Sequence, residues 1–443
     1  MNSAWQEVEL QDIANFQNGY AFKSDEYVPC SSNGKEVLRM GYIQRGGGFK
    51  EDGKPVYAPL SSRGNDRRYE LDEGDIVIAM TDMKDRVAIL GNCARIPSSN
   101  RFLLNQRVGK IRSKNNKVAN QHFLYYYMNS PSQVHQLRSM ANRGVQVNLT
   151  TASIIESLVF LPPIQHQEAI AHILGTLDDK IELNRKTNET LEAMAKALFK
   201  SWFVDFDPVS AKAEGRHTGL PAEISDLFPD SFEDSKLGEI PSGWRDGEIQ
   251  DVADLNPENW GSRNQPIKIR YLDLASVKYG RTDNLEEYEW EDAPSRARRI
   301  LKKGDTVVGT VRPGNGSYCL IGEDGITGST GFAVLRPKAR VDDAFVYLGS
   351  CSKDNIDRLA HLADGGAYPA VRPELVAQTP VVIPSRQVLD HFSSYVSPLF
   401  ANAGERERES KVLCHLRDTL LPKLISGEFR IPDAEKMLEE VGI

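Results

Sequence analysis

The sequence predicts an α+β protein with two similar mixed α/β domains separated by two long antiparallel coiled-coil helices. The first basis is an internal duplication, which implies pseudo-two-fold symmetry: residues 71–79 (LDEGDIVIA) return 230 positions later as residues 301–309 (LKKGDTVVG). The second is a change from short strand patterns to a sustained helical period after residue 160 and again after residue 384. Two copies of one module suit a target that itself has two halves, as duplex DNA has.

Further landmarks recur in the same order in both halves. The matching segments are Trp5 with 12–14 (DIA) and Trp244 with 251–253 (DVA), then 142–144 (NRG) and 364–366 (DGG), then 161–162 (LP) and 383–384 (IP). Each copy then leads into a helical pattern, which fixes the boundaries. The predicted parts are domain 1 at 1–160, a first helix at 161–208, a connector at 209–238, domain 2 at 239–384, a second helix at 385–431 and a C-terminal tail at 432–443.

The two helical patterns carry matching seams. Seam residues recur every three or four positions from Ile170 to Trp202 and from Leu389 to Leu424, which is typical of a coiled coil. Both seams turn polar in the middle, which favours pairing of the two helices with each other over two independent helices. The predicted seam comprises Leu174, Leu177, Ile181, Asn184, Asn188, Leu191, Leu198, Leu399, Leu413 and Leu420. Pro398 and Pro422 predict kinks or early helix ends.

Within domain 1, short β-rich runs predict strands at 75–79 and 86–90. One helix is predicted near 119–139, with Phe123, Leu124, Tyr127 and Leu137 on its apolar side. Residues 210–236 are rich in Ala, Gly, Pro and acidic residues, which predicts an exposed connector. The last residues, 433–443, indicate a short amphipathic tail.

Composition is that of a globular protein, with 40% hydrophobic and 26% charged residues in 443. No apolar run approaches the roughly 20 residues of a membrane helix, and the N-terminus has no signal-peptide pattern. The five cysteines are scattered without a metal-binding pattern, which favours a cytoplasmic protein without disulfides or zinc. No membrane partner and no metal site are therefore expected.

The formal net charge of −8 hides an uneven distribution. Residues 86–155 contain ten Lys and Arg residues and no Asp or Glu. A stretch with this charge is expected to attract phosphate groups. A solvated basic face that binds nothing is the alternative. Residues 237–384 carry 18 basic and 22 acidic residues, with a basic cluster at 296–303.

The sequence has no phosphate-cradling P-loop and no dinucleotide-binding glycine motif. Asp230, Asp234 and Lys236 offer two carboxylates and a lysine, as Mg²⁺-dependent nucleases do, but their spacing is unfavourable. Sequence reading of DNA instead needs Arg, Asn, Gln and similar side chains on loops. The candidate DNA-binding residues are Arg45, Arg67, Arg68, Arg143, Gln146 and Asn148 in domain 1, and Arg312, Asn315, Ser317 and Tyr368 in domain 2. For any one of them, a plain turn is the alternative interpretation.

Three segments resemble the central conserved region of the specificity subunit of type I restriction–modification systems: 161–168 (LPPIQHQE), 174–184 (LGTLDDKIELN) and 191–209 (LEAMAKALFKSWFVDFDPV). Residues 420–430 (LLPKLISGEFR) resemble its distal counterpart. The opening Trp with DIA and the Gly-Asp strand resemble its target-recognition domains. The resemblance covers nearly the whole chain.

This resemblance implies two target-recognition domains that each read one half of a split double-stranded DNA target. The helices would set the spacer and dock two modification (methyltransferase) subunits, and restriction (translocase/nuclease) subunits would complete the complex. S-adenosylmethionine, ATP and Mg²⁺ would belong to those partners, so this chain is expected to bind no cofactor and to catalyse no reaction. A standalone Mg²⁺-dependent endonuclease and a coiled-coil scaffold without DNA binding are the competing hypotheses.

Overall fold

The computed structural model describes residues 5–442 except 24, 26, 29–33, 52–53, 60–66, 84–86, 144–145, 283–284, 367 and the side chain of Arg143. The chain divides into two compact units. Unit 1 comprises Met1–Leu183 and Glu409–Ile443, and unit 2 comprises Asn184–Arg408. Each unit therefore contains one mixed α/β domain and a part of each long helix. Across the described residues, no helix combines the length and apolarity needed to cross a membrane.

The domain of unit 1 consists of short strands and short helices followed by a long helix. Its strands are β1 (Gln6–Glu9), β2 (Ala14–Asn18), β3 (Gly34–Leu38), β4 (Tyr57–Pro59), β5 (Ile76–Ala79), β6 (Thr81–Met83), β7 (Cys93–Arg95), β8 (Phe102–Leu104), β9 (Val108–Ser113), β10 (Asn142–Arg143), β11 (Gln146–Asn148) and β12 (Leu158–Leu161). Its helices are α1 (Leu10–Ile13), α2 (Gln121–Asn129), α3 (Pro131–Ser139), α4 (Thr151–Ile155) and the long α5 (Ile164–Phe203).

Strand β5 lies at the centre of this domain. It pairs with β9 and β7 in the sheet β2-β9-β5-β7, while β4-β3-β8 and β10-β11-β6 form two smaller sheets. Successive side chains of a strand point to opposite faces. Accordingly Ile76 and Ile78 join the core that includes α2 and α3, and Val77 and Ala79 join a second core. Burial on both faces explains why this strand is apolar throughout.

The rest of the chain repeats this plan. The helices are α6 (Asp207–Ala213), α7 (Ala222–Ser225), α8 (Ile249–Val252), α9 (Asp343–Ser350), α10 (Lys353–Leu362), α11 (Pro373–Ala377), the long α12 (Arg386–Ile425) and α13 (Ile431–Glu440). The strands are β13 (Phe232–Ser235), β14 (Gly238–Pro241), β15 (Arg245–Glu248), β16 (Ala253–Leu255), β17 (Lys268–Leu272), β18 (Val277–Lys278), β19 (Arg281–Thr282), β20 (Glu286–Glu289), β21 (Ala297–Leu301), β22 (Thr306–Gly309), β23 (Tyr318–Leu320), β24 (Ile326–Ser329), β25 (Phe332–Pro337) and β26 (Pro380–Ile383).

Sheet pairing confirms the predicted internal duplication. In unit 2 the sheet β16-β25-β22-β23 has the order of β2-β9-β5-β7, and β15 pairs with β26 as β1 pairs with β12. The repeated Gly-Asp segment forms the same turn twice. Gly74 and Gly304 have φ of 81° and 92°, which glycine adopts at little cost. The carboxylates of Asp75 and Asp305 are buried behind these turns.

Helices α5 and α12 pack against each other with antiparallel directions, as predicted. In unit 1, Arg417 pairs with Asp178 at 2.8 Å and Lys180 pairs with Glu409 at 3.3 Å, so higher numbers on one helix meet lower numbers on the other.

The same order holds within unit 2. There the Asn188 side chain donates to the Ala403 carbonyl oxygen at 3.1 Å, and Arg406 Nη1 donates to Asn184 Oδ1 at 3.3 Å. The polar centres of the two seams therefore meet.

Burial follows the predicted seam. Five of its residues are buried, namely Leu174, Leu177, Asn184, Leu413 and Leu420. The other five are partly buried, namely Ile181, Asn188, Leu191, Leu198 and Leu399. Of the two outcomes predicted at the prolines, an early end of α12 was wrong, since the helix continues through Pro398 and Pro422, and a kink stays a prediction. Packing of its apolar face on both sides of Pro398 offsets one lost backbone hydrogen bond, and Pro422 lies in the last turn.

Residues 210–236 do not form the predicted exposed connector. They include α6, α7 and β13, and Ile224 and Phe228 are buried. The ring of Phe228 lies 5.0 Å from that of Trp202 at the end of α5, and 6.0 Å from Trp244. The aromatic end of α5 needs an apolar cover, and this segment provides it. The C-terminal tail is likewise packed, because Ala434 of α13 is buried in the core of unit 1.

Two further local predictions were wrong. The single helix at 119–139 is split at Ser130, whose hydroxyl caps α3 by accepting from the Gln133 amide, with Pro131 at the first helical position. Residues 87–90 form no strand. Instead Asp82 Oδ2 accepts the backbone amides of Ala88, Ile89 and Leu90 at 2.7, 2.6 and 3.1 Å. In both places a side chain satisfies backbone groups that a regular element would have paired.

Candidate nucleic-acid interface

In unit 1, hairpin β10–β11 carries three of the predicted contact residues. Asn142 pairs with Asn148, and β11 continues the sheet to β6. Because side chains alternate, Val147 is buried in the core while Gln146 and Asn148 face away from it. Arg143 lies in β10, and the hairpin tip at 144–145 lies outside the described residues. The structure thus brings Arg143, Gln146 and Asn148 together on one hairpin.

Asn148 is partly committed to the fold. Its Oδ1 accepts from the Thr81 hydroxyl at 2.8 Å, and its Nδ2 donates to the Gln146 carbonyl oxygen at 3.2 Å. Gln146 is half-buried. Of the two amides, that of Gln146 is therefore the better placed to contact a base edge.

Unit 2 has a loop that corresponds to hairpin β10–β11, and a matching backbone hydrogen bond at its end aligns the two. The Val371 amide donates to the Thr310 carbonyl oxygen at 2.9 Å, as the Leu149 amide donates to Met80 at 2.8 Å. Counting back three residues from Leu149 and Val371 places Tyr368 at the position that Gln146 holds in unit 1. The predicted correspondence between the loop that begins at 142–144 and the loop that begins at 364–366 is confirmed, and the side chains of the two loops differ.

Tyr368 and Arg312 form an exposed stack in unit 2. The side chain of Tyr368 is 72% exposed, and Arg312 Cζ lies 4.6 Å from its ring centroid. The Arg312 amide donates to the Pro369 carbonyl oxygen at 2.7 Å. Arg312 itself has φ 48° and ψ 58°, a left-handed conformation that costs a non-glycine residue about 1 kcal/mol.

The other two predicted residues of unit 2 have different environments. Asn315 ends the short 3₁₀ turn Pro313–Asn315 and is exposed. Ser317 is buried, and its hydroxyl donates to the Leu274 carbonyl oxygen at 3.0 Å. Ser317 therefore uses its hydroxyl within the fold.

Arg45 lies exposed on a glycine turn between Ile43 and Phe49, which form an isolated bridge. Gly47 in this turn has φ 98°, and a Cβ there would lie 2.5 Å from the buried Asn129 side chain. The turn that presents Arg45 thus requires glycine for close packing.

Arg67 and Arg68 open the 3₁₀ segment Arg67–Tyr69 and are exposed. The Arg68 guanidinium lies 4.6 Å from the Tyr69 ring centroid. The loop at 60–66 before them is outside the described residues. For all these residues, contact with DNA stays a prediction.

Sequence reasoning missed Tyr279. It lies with Gly280 in the two-residue turn between β18 and β19, with φ of 48° and 83°. Its side chain is 54% exposed, and a Cβ at Gly316 would meet its ring at 2.3 Å, so the ring packs closely against that glycine. The available signal was a Tyr-Gly turn between Lys278 and Arg281, because positive φ at both turn positions is typical of tight hairpins.

Two of the ten basic residues in the stretch at 86–155 pair with carboxylates, and phosphate binding by this stretch stays a prediction. Arg101 pairs with Glu36 and Glu51 at 2.9 and 2.6 Å. Arg112 pairs with Asp72 and Asp75 at 3.2 and 2.8 Å. The carboxylates come from earlier strands and turns, so a stretch without acidic residues in the sequence is partly neutralised in space.

Five acidic residues of domain 2 lie at or directly after one sheet edge. Glu286, Glu287 and Glu289 belong to β20, an outer strand of the sheet β20-β17-β24-β21, and all three are exposed. Glu291 and Asp292 follow at once and are exposed as well. Charged edge strands resist pairing with other chains. These five acidic residues therefore lie on different elements from Arg312 and Tyr368.

Asp230, Asp234 and Lys236, the nuclease alternative, lie exposed in and around hairpin β13–β14. Within the part of the chain that the structure describes, no group of three or more His, Cys, Asp or Glu residues is placed to hold a metal ion.

A family model described as the type I restriction modification DNA specificity domain matches residues 2–193. The HindI specificity subunit of Haemophilus influenzae is 26% identical over 69% of this chain and 76% of its own length. The MjaIX specificity subunit of Methanocaldococcus jannaschii is 24% identical over 76% of this chain and 75% of its own.

A similar fold is found in the crystal structure of a type I restriction-modification S subunit from M. genitalium. That chain has a TM-score of 0.56 and 14% identity, and the match covers 96% of this chain and 97% of that one. The family match thus assigns a type I restriction modification DNA specificity domain to residues 2–193, and this chain is similar over 69% and 76% of its length to two type I restriction enzyme specificity subunits.

Proposed function

We propose that each α/β domain reads one half of a bipartite duplex target. The observation that carries this proposal is the matched register of the two loops, because one scaffold presents Gln146 in unit 1 and Tyr368 in unit 2. Two domains with the same scaffold should dock on duplex DNA in the same orientation, while different side chains at the same position of the scaffold should select different bases. The two half-sites are therefore expected to differ in sequence.

The long helices set the distance between the half-sites in this proposal. Each has 40 residues, which corresponds to about 60 Å at 1.5 Å per residue. One turn of duplex is about 34 Å, so helices of this length suit a spacer between the two reading domains.

Partner subunits would supply the chemistry. The long helices expose large apolar side chains that suit docking, at Leu183 and Met194 on α5 and Tyr395 and Val412 on α12. Two modification subunits would bind S-adenosylmethionine and methylate adenine, and restriction subunits would use ATP and Mg²⁺. The chain itself would act in the cytoplasm as a reader without catalytic activity of its own.

A domain exchange tests the bipartite reading. Residues 249–383 would be replaced by the corresponding segment of the Haemophilus relative, with the full chain co-expressed with its modification subunits. Sequencing of methylated adenines should show that one half of the target changes while the other half and the spacer persist. The matched chimera, exchanging residues 10–161, should change the other half. A change of both halves by either chimera would contradict the proposal.

Two simpler assays address the competing hypotheses. The purified chain incubated with duplex DNA and Mg²⁺ should leave the DNA intact, whereas a standalone endonuclease would cut it. Binding to duplex that weakens steeply with salt is expected of a reader. A scaffold that binds only helices would show no such binding.

A further inference from the structure

The turn that carries Arg312 is held on two sides. On one side the Arg312 guanidinium stacks on the exposed ring of Tyr368 at 4.6 Å, and its amide is bonded to Pro369. On the other side Tyr279 packs against Gly316, and the Tyr279 amide donates to the Gly316 carbonyl oxygen at 2.7 Å. A short turn fixed at both ends presents its side chain in a narrow range of directions.

The backbone of Arg312 and of Tyr279 reinforces this point. Both residues have φ of 48°, although left-handed backbone is uncommon for residues other than glycine, and Pro313 restricts Arg312 further. Such conformations persist where the surrounding structure over-determines them, and they cluster at functional sites. Two of them flank one exposed turn.

Unit 1 builds the equivalent position differently. In unit 1, strand pairing places Asp82 opposite Val147. In unit 2, the amide of Arg312 donates to Pro369, so Asp82 holds the position that corresponds to Arg312. The Asp82 carboxylate accepts three amides of the loop at 88–90 and so serves the fold. The stacked arginine therefore distinguishes the second reading domain from the first.

We propose that Arg312 reads a guanine in the half-site of the second domain and that Tyr368 is its positioning residue. The inference rests on the proposed bipartite reading. A guanidinium fork matches the O6 and N7 acceptors of guanine in the major groove. Stacking on an aromatic ring fixes the plane of that fork before DNA arrives, which a flexible phosphate contact does not need. Lys278, exposed on the neighbouring hairpin, is suited to phosphate instead.

The test uses the full chain with its modification subunits and reads the sequences of methylated sites. Arg312→Lys keeps the charge but loses the fork, and should lower discrimination for G·C at one position of the second half-site by roughly tenfold to a hundredfold. Arg312→Gly should do the same while folding at least as stably, because glycine accepts φ 48° without strain. The first half-site should be unchanged for both variants.

Two substitutions of Tyr368 test whether its ring positions Arg312. Tyr368→Leu should relax the same position as the Arg312 variants, and Tyr368→Phe, which keeps the stacking ring, should restore it. Lys353→Ala serves as the matched control, since Lys353 is an exposed basic residue of unit 2 on α10, and should leave the methylated sequence unchanged.

Weaker binding of Arg312→Gly to all sequences, with discrimination intact for every variant, would mark Arg312 as a phosphate contact and overturn the inference. If the domain exchange switches one half-site but the Arg312 variants do not relax it, the inference alone fails. If the domain exchange changes neither half-site or both, the proposed function fails with it.

Discussion

At the residue scale, the two buried carboxylates behind the repeated turns organise each domain. Asp75 accepts the Asp72 amide at 2.9 Å and pairs with Arg112, and Asp305 pairs with Arg336 at 2.8 Å. Burial raises the pKa of Asp75 above its ordinary value, against the lowering effects of the Asp72 backbone hydrogen bond and of the Arg112 charge. Burial thus outweighs the ion pair at this position.

This balance predicts an unusual pH dependence. Because the pKa of Asp75 is raised by folding, its favourable contribution is fully present below the unfolded pKa of about 3.9 and is lost as pH rises through the folded pKa. We expect the difference in unfolding free energy between the native protein and Asp75→Asn to shrink as pH rises from about 4. Urea unfolding at several pH values measures it.

Asp72→Asn is the control for this prediction, since Asp72 also pairs with Arg112 but its side chain is 54% exposed. Its effect on the unfolding free energy should be small, because an exposed ion pair contributes little to stability. A difference that grows with pH for Asp75→Asn would mean that the ion pair with Arg112 outweighs burial.

At the scale of elements, the long helices trade stability for register at their centre. Asn184 is buried and accepts from Arg406, while Asn188 donates to Ala403. Among the described residues, Asn188 Oδ1 is buried without a hydrogen-bond partner. Buried polar groups in a seam cost stability and specify which residues face each other.

We therefore expect Asn184→Leu with Asn188→Leu to stabilise the helix pair by about 1 kcal/mol and to loosen its register. The stability change is measured by chemical unfolding. The register change is measured by the range of spacer lengths in methylated targets, which should broaden. Thr190→Leu, at an exposed position of α5, should do neither. An unchanged spacer tolerance in the double variant would count against this account.

The segment after α5 offers a second test at this scale. Phe228 is buried against Trp202 and Trp244. Phe228→Ala should destabilise unit 2 by about 3–5 kcal/mol, as truncation of a buried aromatic does. Chemical unfolding with tryptophan fluorescence would follow this change. Leu237→Ala, in the exposed turn of hairpin β13–β14, should change stability by less than about 0.5 kcal/mol. If both variants changed the stability by the same small amount, the segment would be a loose connector, as the sequence predicted.

At the scale of the whole molecule, helix length should determine which targets are read. Seven residues inserted at the polar centre of both α5 and α12 add two helical turns, or about 10 Å. At about 3.4 Å per base pair, we expect the spacer to lengthen by about three base pairs while both half-sites stay the same. Methylome sequencing reads both quantities. Insertion into α5 alone should abolish methylation, because the seams no longer match.

How much of this molecule followed from its sequence depends on the range of the interactions involved. The strand at 76–79 and the two 40-residue helices were predictable because their periodicities lie within one segment, and the duplication was predictable because similar segments recur in the same order in both halves of the sequence. The polar centre of the helix pair was predictable too, since both seams carry it at matching positions. Each of these features can be read from patterns in the sequence itself.

Tertiary structure alone decided the electrostatics and the detailed site. Arg101 and Arg112 look unpaired in an acid-free stretch, yet Glu36 and Asp75 reach them from other segments of the chain. Ser317 looks like a loop contact, yet its hydroxyl bonds to Leu274. Phe228 looks isolated in a polar segment, yet it covers the end of α5. The ion pairs, the buried hydroxyl and the aromatic cover join residues far apart in the chain, so no local pattern encodes them. The helix period is local, and the internal repeat can be read directly by comparing two parts of the sequence.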